Sequence, residues 1–226
     1  MNTSVKTLLF FFSSLIFFSC NSSKKFPGDP SPEIYTARYI TLDSIKEVLE
    51  ELNERDQKIR KKLTVAMNDG SNNINMIIEE MNSIDSLNQI QVSAILEEYG
   101  WLEESKIGKK ASGALFFVVQ HAELQLMKMY FPQLKALAEK DEAKKQHMAM
   151  MQDRILMYEN KKQIYGTQAS NLVRKDKVSV IWPIEEAQQV NDRRKEIGFK
   201  STIQEYAESM GAAYDPDEKL PVVNPW

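Results

Sequence analysis

Cysteine is almost missing from this sequence: Cys20 is the only one in 226 residues. One thiol excludes an intramolecular disulfide framework and any thiolate zinc cluster. Histidine is scarce as well. His121 and His147 are the two, and with scattered carboxylates they show no metal-ligand spacing, so neither a metal nor another cofactor is expected. There is no basic excess, since 29 Lys+Arg stand against 32 Asp+Glu for a net charge of −3. That balance excludes the basic face with which nucleic-acid binders neutralise phosphates. Also missing are a serine elbow, a catalytic cysteine and a carboxylate pair of diagnostic spacing. What is present is 42% hydrophobic and 27% charged residues, the composition of a folded chain. Its length suits one domain of ordinary size or two small ones, with enough chain to bury a core.

The apolar residues are unevenly spread. Five of the ten phenylalanines precede Cys20: Phe10, Phe11, Phe12, Phe17 and Phe18. They belong to a run from Leu8 to Phe18 that follows Lys6 and ends at Ser19-Cys20. About eleven residues are too few to span a bilayer, which takes roughly 20, and are the right length for a signal-peptide core. A small residue directly before a cysteine at this distance resembles the lipobox of bacterial lipoproteins. The resemblance implies that residues 1–19 are removed and that Cys20 then carries acyl chains, several of which anchor a protein stably to a membrane. An ordinary secretory signal with an incidental Cys20 is the alternative. Removal leaves 207 residues, with 28 basic against 32 acidic side chains. Residues 20–38, with Asn21-Ser22-Ser23-Lys24-Lys25 and then Pro27, Gly28, Pro30 and Pro32, read as a tether. The Phe-rich leader and Ser/Lys tether resemble those of the Bacteroidetes. Surface-exposed lipoproteins of that group often carry acidic residues just after the cysteine. None stands there here, so the expectation is a lipid-anchored protein of the bacterial envelope facing the periplasm.

From residue 39 to 212 the pattern predicts an all-α, bundle-like single domain of four to six helices, followed by an extended tail over 213–226. Leu42, Ile45, Val48, Leu49, Leu52, Ile59 and Leu63 follow helical spacing over Thr41 to about Met67, with Thr41 or Asp43 as N-cap. A second helix is expected over Ile74–Tyr99, broken near Ser83–Asp85 and stopped by Gly100. A third spans Lys109–Leu137, with Pro132 marking a kink or restart. A fourth covers Glu142–Asn160. Val178–Ile181 reads as extended, and two short helices follow near Glu185–Ile197 and Ser201–Gly211. The most apolar stretch, Gly113–Phe131, is interrupted by Gln120, His121, Glu123, Gln125 and Lys128. Charges at such positions are costly in lipid, so it reads as a central helix of the bundle.

Polar residues on apolar faces are the candidates for chemistry. Gln120 shares a stripe with Phe116, Leu124 and Met127, which predicts a buried amide in a hydrogen-bond network. His121 falls beside Gln125 and Lys128, half-exposed, and is the one candidate base with a pKa naturally near 7. Asp153 and Arg154 are neighbours on different faces of the fourth helix, and Arg154 is expected to seek a carboxylate, with Asp56, Glu123 and Asp192 as candidates. Met148, Met150, Met151 and Met157 read as adaptable core filler. Gln163-Ile164-Tyr165-Gly166-Thr167-Gln168 concentrates directional donors and acceptors in one loop, suited equally to binding and to locking a turn. Arg193-Arg194 has the fork that clamps a carboxylate or phosphate.

In chain order the sequence carries Asp56-Gln57, Arg60, Gly100-Trp101, Gly108, Gln120-His121-Ala122, Pro132 and Asp153-Arg154. Then come the Gln163–Gln168 loop, Arg193-Arg194, Gly198 and Glu205-Tyr206. This series, over residues 45–207, resembles an uncharacterised bacterial family built on a domain of unknown function. Leu102 departs from it, standing where proline is expected after Gly-Trp. The resemblance implies no activity, substrate or cofactor, only that these residues belong together. Gln120, His121, Asp153, Arg154, Gln163, Tyr165, Thr167, Gln168, Arg193 and Arg194 are accordingly the expected site. It would be a polar pocket for a small anionic or amide-bearing ligand such as a peptide or cell-wall fragment. A hydrolase or lyase using His121 with Asp153 and a purely structural envelope protein are the other readings.

Overall fold

The structure, a computed structural model, describes residues 41–226; the expected signal peptide, Cys20 and the whole of the expected tether, 20–38, lie outside the described residues. The first helix, α1, runs over Leu42–Asn68. It starts where Thr41 Oγ1 accepts from the Ser44 N–H at 3.2 Å while Ser44 Oγ accepts from the Thr41 N–H at 3.2 Å. This reciprocal cap satisfies two of the donors that a helix start leaves open. α2, Ile74–Tyr99, returns antiparallel to it. Twenty-seven residues make α1 about 40 Å long, so the pair is a long hairpin.

α2 is continuous through Ser83–Asp85, where a break was expected. Asp85 faces Arg60 of α1 and Ser83 Oγ donates back to Glu79 O of its own helix, so the stretch interrupts the core and not the helix. Along α1 the buried stripe reads Ile45, Leu49, Leu52, Asp56, Ile59, Ala66, and along α2 it reads Ile77, Asn88, Val92, Ile95. Asp56 and Asn88 therefore occupy positions that helical spacing gives to the core. Two apolar clusters result. Ile45, Val48, Leu49, Leu52, Val92, Ile95 and Leu96 join the main core. Ile59, Ala66 and Ile77, with Leu63, Ile74, Met81 and Ile84, form a separate cluster towards the hairpin tip.

α3, Glu104–Gln120, is the central helix that the apolar run predicted, packed against α1, α2 and the later α5. It carries a non-helical turn at Gly108, whose φ of 78° favours glycine. α4, Leu124–Glu139, follows at once. The single long helix expected over Lys109–Leu137 is thus two, and the break lies at His121–Glu123, not at Pro132. The reason is local. The His121 N–H reaches back to Phe117 and Val118, and the Ala122 N–H tightens onto Val119 O at 3.1 Å. Glu123 is then extended, with φ −63° and ψ 153°. Pro132 lies exposed within α4, where water reaches the carbonyl that loses its partner.

α5, Lys145–Tyr158, closes the bundle against α3 and α4. Beyond it lies a small layer built on β1, Ala169–Ser170, antiparallel to β2, Val180–Ile181. This layer also contains α6, Val190–Glu196, and α7, Ile203–Ser209. Its own cluster holds Ile181, Ile184, Ala187, Val190, Ile203 and Ala207. The extended reading of Val178–Ile181, the two short helices and the non-helical tail are as expected, and the chain is all-α in class. No helix among the described residues is long and apolar enough to cross a membrane.

His147 on α5 stacks on Phe116 of α3, ring centroids 3.9 Å apart and planes 8° from parallel. Burial, assisted by the Lys144 charge, lowers its pKa to about 4. The unfolded chain takes up a proton near pH 6.5 that the folded chain refuses until about pH 4. Stability therefore falls as pH drops through that window, by up to about 3 kcal/mol for a shift of this size. Urea denaturation at stepped pH should show that slope, and His147→Gln should reduce it by about half, since His121 has its pKa lowered to about 4 as well.

Candidate functional site

The Gln163–Gln168 loop is organised by Asp153, which is fully buried on α5. Asp153 Oδ1 accepts from the Ile164 N–H at 2.8 Å and the Tyr165 N–H at 3.1 Å. Oδ2 accepts from the Thr167 N–H at 3.0 Å and the Thr167 hydroxyl at 2.9 Å. Burial pushes the carboxyl above its usual range, against donors that all favour the ionised form. Gln163 closes the loop on itself, donating to Gln168 O and Trp182 O while its Oε1 accepts from the Gln168 N–H. Gly166 sits at φ 70°, and a Cβ there would lie 2.4 Å from Ile203 Cδ1.

The two arginines of α6 clamp the same loop from the other side. Arg193 Nε donates to Ile164 O at 2.9 Å, and its Nη2 donates to Glu185 O. Arg194 is 1% exposed. It donates to Tyr165 O, Ser201 O and Ser201 Oγ, each at 2.9–3.0 Å. Phe199 and Tyr206 cover its guanidinium on two sides, at 4.7 and 4.8 Å. Asp153, Gln163, Thr167, Arg193 and Arg194 thus spend their polar groups on backbone and on one another, and the loop between them is solid. Among the described residues no hydrogen bond joins His121 to Asp153, whose oxygens are already engaged. The geometry gives that catalytic pairing no support.

A different group surrounds His121. At the end of α3 it lines a narrow cleft with Val118, with Asp56 and Arg60 of α1, and with Asp85, Asn88 and Gln89 of α2. Arg60 bridges the two carboxylates, Nε to Asp56 Oδ1 and Nη2 to Asp85 Oδ1, each at 2.9 Å. Burial raises the Asp85 carboxyl, partly offset by Arg60. His121 keeps an exposed edge, yet its pKa is held down at about 4 by the surrounding desolvation and by the positive charges of Arg60 and Arg154. The exposed edge tempers the first of these causes; the two guanidiniums act in the same direction. At neutral pH the imidazole is uncharged, with one donor and one acceptor.

Two amides stand out. Asn88 is 1% exposed and lines this cleft, and neither its Nδ2 nor its Oδ1 has a hydrogen-bond partner. Gln120, adjoining His121, is 2% exposed and equally unpartnered. The network expected around Gln120 is not formed among the described residues.

Arg154 has no carboxylate within 4 Å among the described residues, and the ion pair expected with Asp56, Glu123 or Asp192 is absent. Asp56 is taken by Arg60. Arg154 Nε donates to Gln168 Oε1 at 3.1 Å, and Tyr158 is its other polar neighbour. The sequence reading named Asp56 and Arg60 only within the series that carries the resemblance, and left both out of the expected site together with Asp85 and Asn88. The signal was available: Asn88 is a polar residue at a core position of the α2 stripe.

A family model matches residues 43–219, about four-fifths of the chain; it is that of a family of unknown function (DUF6624). The chain belongs to that family. Its match takes in every element of this DUF6624 domain, from α1 through α7, together with the cleft and the loop. Searches among curated proteins and among solved structures each find no match.

Truncating Asp153→Ala removes the acceptor from three buried backbone N–H groups. Each such group costs about 1–3 kcal/mol when left unpaired, so a loss of roughly 3–5 kcal/mol in chemical denaturation is expected. Hydrogen exchange at residues 164–167 should accelerate with it. A loss below about 1 kcal/mol would show that the loop holds without its carboxylate.

Proposed function

We propose that this chain is a binding module held at the bacterial envelope by acyl chains on Cys20 and facing the periplasm. Its ligand site is the cleft between α1, α2 and the end of α3. One observation carries the reading: the Asn88 amide lines that cleft, wholly buried and without a single partner. A native interior seldom leaves both ends of an amide unpaired, and retaining it costs stability that an apolar residue of the same volume would recover. An amide offers a donor and an acceptor, and the neutral His121 beside it offers the same pair. The complementary ligand is amide-bearing, a peptide or peptide-containing cell-wall fragment. As it stands the cleft has about 0 Å³ of room for a water-sized sphere, far below the roughly 300 Å³ of an ordinary ligand pocket. It takes one planar group of a larger ligand, after α3 parts slightly from the hairpin. Of the residues expected in the site, His121 lines this cleft; Gln120 is its neighbour in sequence, and Arg154 and Gln168 bond each other outside the lining. Asp153, Gln163, Tyr165, Thr167, Arg193 and Arg194 serve it by fixing the layer behind.

Asn88→Leu tests the proposal directly. It should raise stability by about 1–2 kcal/mol, the desolvation penalty of the lost amide, and should abolish ligand binding. If the variant is instead destabilised by more than 1 kcal/mol, the amide has a structural partner and the reading fails. The anchor is checked by metabolic labelling with an alkyne fatty acid: label is expected on the wild type and not on Cys20→Ala, and undiminished label on the variant would exclude Cys20.

A further inference from the structure

The family match ends at Lys219, and the residues after it, Leu220 to Trp226, cross the end of α5 as a strap. Asn160 Nδ2 donates to Pro221 O at 3.2 Å, and Asn224 Nδ2 donates to Tyr158 O at 3.1 Å. The Trp226 ring meets the Tyr158 ring with centroids 5.0 Å apart. Val222 and Val223 are exposed, and no side chain from Leu220 to Trp226 is buried. Ordering one residue costs about as much as one such hydrogen bond returns, so a segment held by these few contacts is detachable. Beside it runs an open groove of about 510 Å³, lined by Leu156, Asn160, Ile164 and Leu220 among others. That is the size of an ordinary ligand pocket.

The Asn160 amide is only half used. Its Oδ1 is buried and has no partner. Pro221 O can only accept, so Nδ2 must face it and the orphan is the acceptor. A side-chain amide can pair with both the N–H and the C=O of one extended residue, because the two point to the same side of the strand. Proline has no N–H to give. The strap therefore fills the Nδ2 half of the pair and leaves the Oδ1 half empty. We propose that the end of α5 and this groove form a peptide-binding site, closed in cis by the strap as an incomplete occupant. The ligand is an extended peptide with a residue other than proline opposite Asn160, so that both ends of the amide are paired. An apolar side chain of that peptide enters the groove between Leu156, Ile164 and Leu220. This site is independent of the cleft at His121.

Fluorescence anisotropy of labelled peptides on the full chain in detergent tests this, with Trp226→Ala introduced to loosen the strap. The probes are Lys-Leu-Pro-Val-Val-Asn-Pro-Trp, the same peptide with alanine for its first proline, and that peptide with N-methylalanine there. One more hydrogen bond to a buried acceptor is worth about 3–10-fold in affinity. The alanine peptide should bind more tightly than the proline peptide by that factor, and the N-methyl peptide should fall back to the proline level. Asn160→Gly keeps the turn, whose φ of 53° suits glycine, and should abolish the preference. Equal binding of the three peptides, or a preference that survives in Asn160→Gly, would overturn the pairing. Binding of none would overturn the site. Loss of binding in Asn88→Leu would put the peptide in the cleft and overturn the groove.

Discussion

Everything beyond α5 is hung on one carboxylate. Asp153 gathers three consecutive-region amides and a hydroxyl from residues 164–167 onto two oxygens buried inside the bundle. Those residues begin the layer that contains β1, β2, α6 and α7, whose apolar cluster is distinct from that of the bundle. The two clusters are therefore joined through hydrogen bonds to an ion more than through shared side chains. Such a joint is directional: it fixes the angle and register of the layer where apolar packing alone allows sliding. Arg193 and Arg194 complete it by taking the carbonyls of the same segment, Ile164 O and Tyr165 O. Donors of the loop face Asp153, and acceptors of the loop face the arginines.

The same fold spends polar groups very differently in the hairpin. There Arg60 binds two aspartates and Asn88 binds nothing. The contrast separates residues that hold the structure from residues that the structure merely tolerates. Around Asp153 the buried carboxylate and the loop donors have been matched, so substitution there is a question of folding. In the cleft the matching is incomplete, and that is the observation on which the proposed ligand site rests.

Much of this was legible in the sequence. The capped start at Thr41, the central apolar helix and the short extended stretch Val178–Ile181 all follow from spacing and punctuation; its partner strand Ala169–Ser170 does not. Three features were not. A break was read into α2 at Ser83–Asp85 because polar residues on a stripe look like an end when their partners on another helix are unknown. Pro132 was given the turn that His121–Glu123 actually make, since an exposed proline in α4 is tolerated while the turn uses no glycine or proline at all. Gln163, Thr167 and Arg194 were grouped with His121 because residue type marks the capacity for hydrogen bonding but not whom the bond serves. Only the burial of Asp153 decides that the loop's donors point inward.

The polar layer across the α1–α2 hairpin also has a mechanical meaning. Ile59, Leu63, Ala66, Ile74, Ile77, Met81 and Ile84 hold the tip together as a cluster of their own. Apolar contact does not run continuously from it to the main core, because Asp56, Asp85 and Asn88 lie between. The hairpin is thus divided into two cooperative units with the cleft at their boundary. Fraying that starts at Gly70 can proceed to the Arg60 ion pairs and halt there, leaving the bundle intact. The cleft consequently sits at the elbow of a lever about 40 Å long, where a small rotation of the tip opens the most space for the least loss of packing.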